Sequence, residues 1–233
     1  MASKIFDVPA LGKITVYKRK GVKRLSIRFN GQELRVSQPS WMPYKTGLSF
    51  VLSQKKWIEN HRPTLTAPQL KDGDRIGKTY ILRIKTSTEV RTRIKDNQIF
   101  IFCPTDSNSV PDNYFHIAKR AIYRALKKES ETLLGQRLQK LALDHKFNYK
   151  DVFYKSMKSR WGSCNNNNEI TLNIYLLMLP WELIDYVLIH ELSHTVHLNH
   201  AQDFWDRVES HLPNYKELRK ELKFRQASIM ALR

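Results

Sequence analysis

Residues 180–200 read P-W-E-L-I-D-Y-V-L-I-H-E-L-S-H-T-V-H-L-N-H. Pro180 suits a helix start, where its missing N–H leaves nothing unsatisfied, and Glu182 falls in the first turn, where a carboxylate meets the positive end of the helix dipole. Leu183, Val187, His190 and His194 stand at i, i+4, i+7 and i+11, a single stripe on a helix. Two imidazoles therefore occupy positions where the pattern calls for buried apolar groups, and a buried ring without a partner is costly. The H-E-x-x-H spacing resolves the conflict: i and i+4 put both rings on one face, able to share one metal ion. Glu191, next to the first histidine, is positioned as general base on a metal-bound water rather than as a ligand.

A third protein ligand would leave one coordination position open for water. His197 and His200 compete for it. On a continuing helix His197 would share the face of His190, but three ligands on one rigid helix must converge from Cα atoms spread over about 10 Å. A chain turning at Asn199, a residue tolerant of left-handed geometry, brings His200 back to the metal, and His200 is favoured. Asp203, Asp206 and Glu209 lie beyond and read as a solvated helix face.

Moving outward, Tyr114 to about His145 carries apolar residues at three- and four-residue steps and predicts a long helix. Between the two helices lies a short β interlude, Val152–Met157 and Glu169–Tyr175, connected through W-G-S-C-N-N-N-N. Asn199 and Pro213 are candidate stops for the helices that follow. The first half reads as β. Leu25, Ile27 and Phe29 alternate with polar residues up to Asn30-Gly31, and Leu34 and Val36 alternate beyond it, the pattern of a tight hairpin. Tyr80–Ile84, Val90–Ile94, a turn at Asp96-Asn97 and Ile99–Cys103 form a second set. Each set ends in a proline, Pro39 or Pro104, and precedes a helix, Phe50–His61 or the one from Tyr114; this order suggests an internal repeat. The turn-rich stretch 104–113 is the candidate linker between a β-rich region, 1–105, and a helix-rich domain, 106–233.

The 233 residues include 40 Lys+Arg and 22 Asp+Glu, a net charge of +18. Residues 1–105 hold 21 and 7 of these, a net +14, and residues 106–233 hold 19 and 15, a net +4. A charge asymmetry of this size makes nucleic acid a candidate partner of residues 1–105, with a merely solvated basic surface as the competing reading. Apolar residues at 41% exclude a wholly disordered chain, and two cysteines exclude a disulfide framework, which points to a reducing compartment. The most apolar run, L-L-M-L-P-W-E-L-I-D-Y-V-L-I, carries three helix-interrupting or charged residues and is too short to span a bilayer. With no leader pattern at the N-terminus, the expectation is a cytoplasmic protein with no membrane association and an open oligomeric state.

H-E-L-S-H-T-V-H-L-N-H-A-Q-D-F-W at 190–205 resembles the signature of the YgjP-like metallopeptidases. K-S-R-W-G-S-C at 158–164, T-L-N at 171–173 and L-P-W-E-L-I-D-Y-V at 179–187 match in order and spacing, and the basic hairpin, K-W-I at 56–58 and G-K-T-Y at 77–80 extend the resemblance over nearly the whole chain. The H-E-x-x-H-x5-H form is similar to the WLM proteases and, more distantly, to the SprT-like proteases that act on DNA-bound proteins. The resemblance implies an α+β chain, a basic β-rich N-terminal region followed by a helix-rich minimal zincin-like domain with a small sheet. It implies Zn²⁺ held by His190, His194 and His200, Glu191 as the catalytic base, and a protein or peptide substrate. Glu169–Tyr175 is the candidate edge strand for pairing with substrate. Arg160, Trp161, Asn173, His197, Asn199 and Trp205 are candidates for substrate contact or for bracing the ligands, Trp161 reading most simply as a packing anchor and Gly162 as a tight backbone site. Cys164 reads as a structural thiol, with inhibition of the metal as the alternative. The metzincins share the ligand spacing, but His197 stands at their glycine position, which argues against membership. Two further readings are a nucleic-acid-associated protease recruited through the basic half and a binding module with a structural zinc.

Overall fold

A computed structural model describes residues 2–9, 11–30, 33–61 and 69–231. Contacts divide the chain into two compact units, Met1–Thr66 and Ala67–Arg233.

The first unit is a four-stranded sheet with two helices. Its strands are β1 (Ser3–Val8), β2 (Gly12–Arg19), β3 (Ser26–Asn30) and β4 (Glu33–Pro39), in the order β1-β2-β4-β3. The central pair β2–β4 is parallel and the two outer pairs are antiparallel. Alternation along β2 and β4 buries Ile14, Val16, Leu34 and Val36, and Val51 and Ile58 close this core from α1 (Tyr44–Ser53) and α2 (Lys55–His61). The single helix expected over Phe50–His61 is thus two, interrupted at Gln54. Gly31 of the expected Asn30-Gly31 turn lies outside the described residues.

The second unit opens with a sheet of the same topology. β5 (Arg75–Ile76), β6 (Tyr80–Thr86), β7 (Arg91–Lys95) and β8 (Gln98–Cys103) are ordered β5-β6-β8-β7, again with a parallel central pair and antiparallel outer pairs. Residues correspond in position: Leu34 with Ile99, Val36 with Ile101, Pro39 with Pro104. Asp96 and Asn97 both have positive φ, 50° and 57°, the geometry of a two-residue hairpin turn. The inner face of this sheet, Leu82, Ile99, Ile101 and Cys103, shares one core with Ala118, Ala121, Ile122, Ala125 and Leu126 of the 30-residue helix α3 (Phe115–Asp144). Buried Glu129 of α3 accepts the backbone N–H groups of Lys78 (3.0 Å) and Thr79 (2.6 Å), and Gly77, at φ 68°, has no Cβ to strike that carboxylate.

Residues 69–105 therefore pack with the helices, and the contacts do not divide at the expected 105/106 boundary. Basic β composition continues past residue 66, but the second sheet has its apolar face covered by α3. The 104–113 stretch is a packed connection rather than a linker, with Val110 N–H bonded to Leu70 O (2.9 Å) and Asp72 N–H to Asn108 O (2.8 Å).

A three-stranded sheet follows, β9 (Asp151–Lys155), β10 (Gly162–Cys164) and β11 (Glu169–Asn173), in the order β10-β11-β9. β11 is thus the central strand and not the edge expected of it. The edge strands are β9 and β10, and the three residues of β10 are too few to show a β pattern in the sequence. Three helices complete the unit: α4 (Trp181–Ser193), α5 (Gln202–His211) and α6 (Tyr215–Ala231). α4 is buried almost all round, as a helix at the centre of a core must be. Arg137 of α3 clamps Asp185 of α4 through two hydrogen bonds of 2.7 and 2.5 Å. Among the described residues no helix is long and apolar enough to cross a membrane.

Candidate metal centre

α4 starts after Pro180 and ends at Ser193, so His190 lies in its last turn and His194 is the residue that closes it. The chain then turns through 195–200 before α5. Asn199 has no positive φ; the left-handed turn expected there does not form. Instead its side-chain Oδ1 accepts the N–H of Ala201 (3.1 Å), and this short polar turn redirects the chain into α5. His200 is thereby returned to α4.

The donor nitrogens of His190, His194 and His200 all lie within 4.8 Å of one another. His190 Nε2 and His200 Nε2 approach to 3.2 Å, near the roughly 3.3 Å separating two nitrogens on one tetrahedral zinc. His194 Nδ1 sits 3.0 Å from the His197 carbonyl oxygen. A carbonyl only accepts, so Nδ1 carries the proton and Nε2 keeps its lone pair for a cation. Burial, then the neighbouring His194 and His200, pushes the His190 pKa down to about 3, and burial also lowers that of His194. Both rings are held neutral, the form that binds metal. His190 Nδ1 is buried with no hydrogen-bond partner among the described residues. Three imidazoles with converging nitrogens fit a borderline divalent cation such as zinc. His197 contributes its backbone carbonyl, and its ring is not among the clustered donors.

Aromatic rings enclose the cluster. Phe204, fully buried, lies 4.5–4.9 Å from all three imidazole centroids, and Trp205 lies 5.8 Å from His190 and 5.6 Å from His200. Trp205 is itself fixed between Tyr215, stacked at 5.4 Å, and the Arg219 guanidinium at 4.8 Å.

Glu191 lies on the same helix, buried to 5% exposure. Burial pushes its pKa up to about 8, opposed by the charge of Arg160. Its carboxyl group rests against Gly162 of β10 so closely that a Cβ there would stand 2.5 Å from Glu191 Cγ and 2.6 Å from Oε1. Arg160, Trp161 and Gly162 line a cleft of about 530 Å³ together with His190, Glu191, His194 and His200. Asn173, fully buried, does not face this cleft. Its Nδ2 donates to the carbonyls of Met157 (3.0 Å) and Arg160 (2.8 Å), its Oδ1 accepts Tyr175 N–H (3.2 Å), and its own N–H reaches Trp161 O (2.8 Å). One side chain so pins the loop that carries Arg160 and Trp161. Cys164 lines the same cleft, and burial, then the charge of Glu191, pushes its thiol up to about 11.

The cleft also contains Ser159, Ser163, Tyr186, Leu198 and Leu222, which the sequence reading did not name. Tyr186 stands four residues before His190, one turn along the same helix face, so the spacing carried that signal. Leu222 arrives from α6, and no local pattern announces it.

A buried carboxyl beside three converging imidazoles, in a cleft bordered by a strand edge, is the arrangement of a metal-dependent peptidase. The chain belongs to the YgjP-like family, whose metallopeptidase domain it matches over residues 23–225. Among solved structures it is similar to the metallopeptidase zymogen abylysin of Pyrococcus abyssi, at 25% identity over 40% of this chain and 96% of that one, with a TM-score of 0.37. It is also similar to the metallopeptidase zymogen jannalysin of Methanocaldococcus jannaschii, at 24% identity over 39% and 91%, with a TM-score of 0.33. No curated protein matches.

Proposed function

We propose that the protein is a zinc-dependent peptidase in which His190, His194 and His200 hold the metal and Glu191 is the general base. The observation that carries this reading is the convergence of three imidazole donors beside a buried carboxyl group. When bound, zinc supplies Lewis-acid polarisation and brings the pKa of water down towards about 7. Glu191 takes the proton of the attacking water and passes it to the leaving amine, a task suited to a carboxyl group whose pKa is raised by burial. Gly162 lets the strand edge approach that carboxyl, and the free edge of β10 pairs main chain to main chain with an extended substrate. Arg160, at the mouth of the cleft, orients the substrate carbonyl; Trp161 forms one wall. Trp205 holds the imidazoles of His190 and His200, and His197 through its carbonyl and Asn199 through its side-chain Oδ1 set the positions of His194 and His200. The reaction takes place in the cytoplasm.

Glu191→Gln is the test. Hydrolysis of casein-derived peptides should fall by at least about 10²-fold, the usual contribution of a general base, while metal content stays near one ion per chain. Undiminished turnover in this variant would remove Glu191 from the mechanism.

A further inference from the structure

β8 has two unlike faces. Ile99, Ile101 and Cys103 are fully buried, whereas Gln98, Phe100 and Phe102 face outward and are only partly covered. Outward positions of a sheet covered on one side are ordinarily polar. Here they carry two stacked phenylalanines, with ring centroids 6.2 Å apart and planes inclined by 24°. The strand register sets cations on both sides of them. On β7, Arg93 stands beside Phe100 and Arg91 beside Phe102, with the Arg91 guanidinium 4.1 Å from the Phe102 ring centroid. On β6, Arg83 stands beside Phe100 and Lys85 beside Phe102. Arg83 lies 3.6 Å from Asp72 and Arg91 lies 3.9 Å from Glu89, while Arg93 and Lys85 make no ion pair among the described residues. Past β7 the basic surface continues into a cleft of about 740 Å³ that Arg120 and Arg124 of α3 line with Arg91.

The sister sheet shows that this fold does not require the aromatics. At the positions of Phe100 and Phe102, β4 carries Arg35 and Ser37, and Arg35 is tied to Glu33 by hydrogen bonds of 2.9 and 2.8 Å. The corresponding face of the first sheet carries one ring, Tyr17 of β2, 5.6 Å from the Arg35 guanidinium, whereas β8 itself carries two.

We propose that the outer face of β6, β8 and β7 is a platform for single-stranded nucleic acid, with bases stacking on Phe100 and on the Arg91 guanidinium that lies over Phe102, and phosphates lying against Lys85 and Arg93. Planar groups alternating with negative charges match rings flanked by cations, and only an unpaired strand has base faces free to stack. A duplex would meet the cations alone. An acidic protein would satisfy the charges and leave Phe100 and the Arg91 guanidinium without a flat partner. The platform is independent of the peptidase chemistry, because none of its residues lines the metal cleft.

The test uses the full-length protein and the fluorescence anisotropy of a short labelled oligothymidylate. A duplex of equal length and polyglutamate serve as comparisons. Phe100→Leu combined with Phe102→Leu keeps the apolar bulk and removes the flat rings. It should weaken single-strand binding by about tenfold or more and leave duplex binding unchanged. Arg93→Glu should reduce the slope of log affinity against log salt by about one. Thermal unfolding and peptide hydrolysis of both variants should match wild type. Should the double variant misfold, Phe102→Ser carries the test, since β4 accommodates Ser37 at the same position. The proposal is overturned if the ring-removing variant binds the oligonucleotide within twofold of wild type. It is equally overturned if polyglutamate or duplex binds as tightly as the single strand.

Discussion

Gly162 is the point at which a backbone position controls the proposed catalytic base. Replacing it by alanine introduces one methyl group, which in the present geometry would stand 2.5 Å from Glu191 Cγ, 2.6 Å from Oε1 and 2.7 Å from Cδ. Ordinary contact begins at 3.4 Å, so the Glu191 side chain must retreat by about 0.9 Å at Cγ. Glu191 is buried and shares its helix with two of the proposed ligands, so the side chain yields more readily than the backbone. Displacing a positioned group by about 1 Å costs on the order of 10²-fold in rate, or about 2.7 kcal/mol. The Gly162→Ala enzyme should therefore lose about 10²-fold in kcat/KM against a fluorogenic peptide. Its metal content should remain that of wild type, because the three atoms nearest the new methyl group all belong to Glu191. A second measurement separates positioning from general damage: with Gln already at 191, the alanine at 162 should produce little further loss, since both changes act on one group. Wild-type activity in Gly162→Ala, or an equal loss on the two backgrounds, would refute the reasoning.

Other perturbations probe the same centre. His200→Ala should drop the bound metal well below one ion per chain by elemental analysis, whereas His197→Ala should retain it, because residue 197 acts through its carbonyl; the reverse result would exchange the two roles. Asn173→Leu strands two carbonyls and an N–H, and should cost on the order of 3 kcal/mol by chemical denaturation along with a lowered kcat; unchanged stability would show that the 157–161 loop is held otherwise. The Cys164 thiol, with its pKa pushed up to about 11, stays protonated at neutral pH, so iodoacetamide should modify it far more slowly at pH 7.5 than at pH 10 in the folded protein; rapid labelling at pH 7.5 would show a thiolate in the cleft.

What the sequence made legible follows from how local each signal is. The helix of His190 and His194 and the strands of the two hairpins declare themselves through periodicity. The return of His200 followed from a reach argument that needed only the rise of a helix. The mechanism of that return was not legible, since Asn199 can turn a chain through its backbone or through its side chain, and only the structure distinguishes the two. Nor could the sequence say which strand borders the cleft. β10 is three residues, Gly162–Cys164, and alternation in three residues carries no information; the longer β11 attracted the assignment and proved central. Asn173 stood among the candidates for substrate contact or for bracing the ligands, but that it pins the 157–161 loop was hidden, because its partners lie thirteen and sixteen residues away and are backbone carbonyls.

The unit boundary is the most instructive divergence, because it changes what the charge means. Cut at 105, the chain has a +14 half attached to a nearly neutral catalytic half. Cut at 66, the first unit holds 13 Lys+Arg and 3 Asp+Glu, a net of +10, and the remainder holds 27 and 19, a net of +8. Both units are basic, and the second sheet, with its Arg and Lys rows, shares a core with α3. α3 in turn clamps α4, the helix of the proposed ligand His190, through Arg137 and Asp185. A polyanion on β7 and β8 would therefore be held by the compact unit that carries the metal centre, not by an appended arm. A tethered arm raises local concentration and leaves orientation free, whereas a surface within the same unit fixes the cleft relative to the bound strand. Recruitment through this sheet should accordingly favour the hydrolysis of particular bonds in a protein bound to the same strand, a change in cleavage pattern that mass action alone would not produce. Cleavage-site mapping of such a substrate, with wild type and with the Phe100→Leu, Phe102→Leu variant, reads this directly. Identical patterns at different rates would mean that the surface concentrates substrate without orienting it.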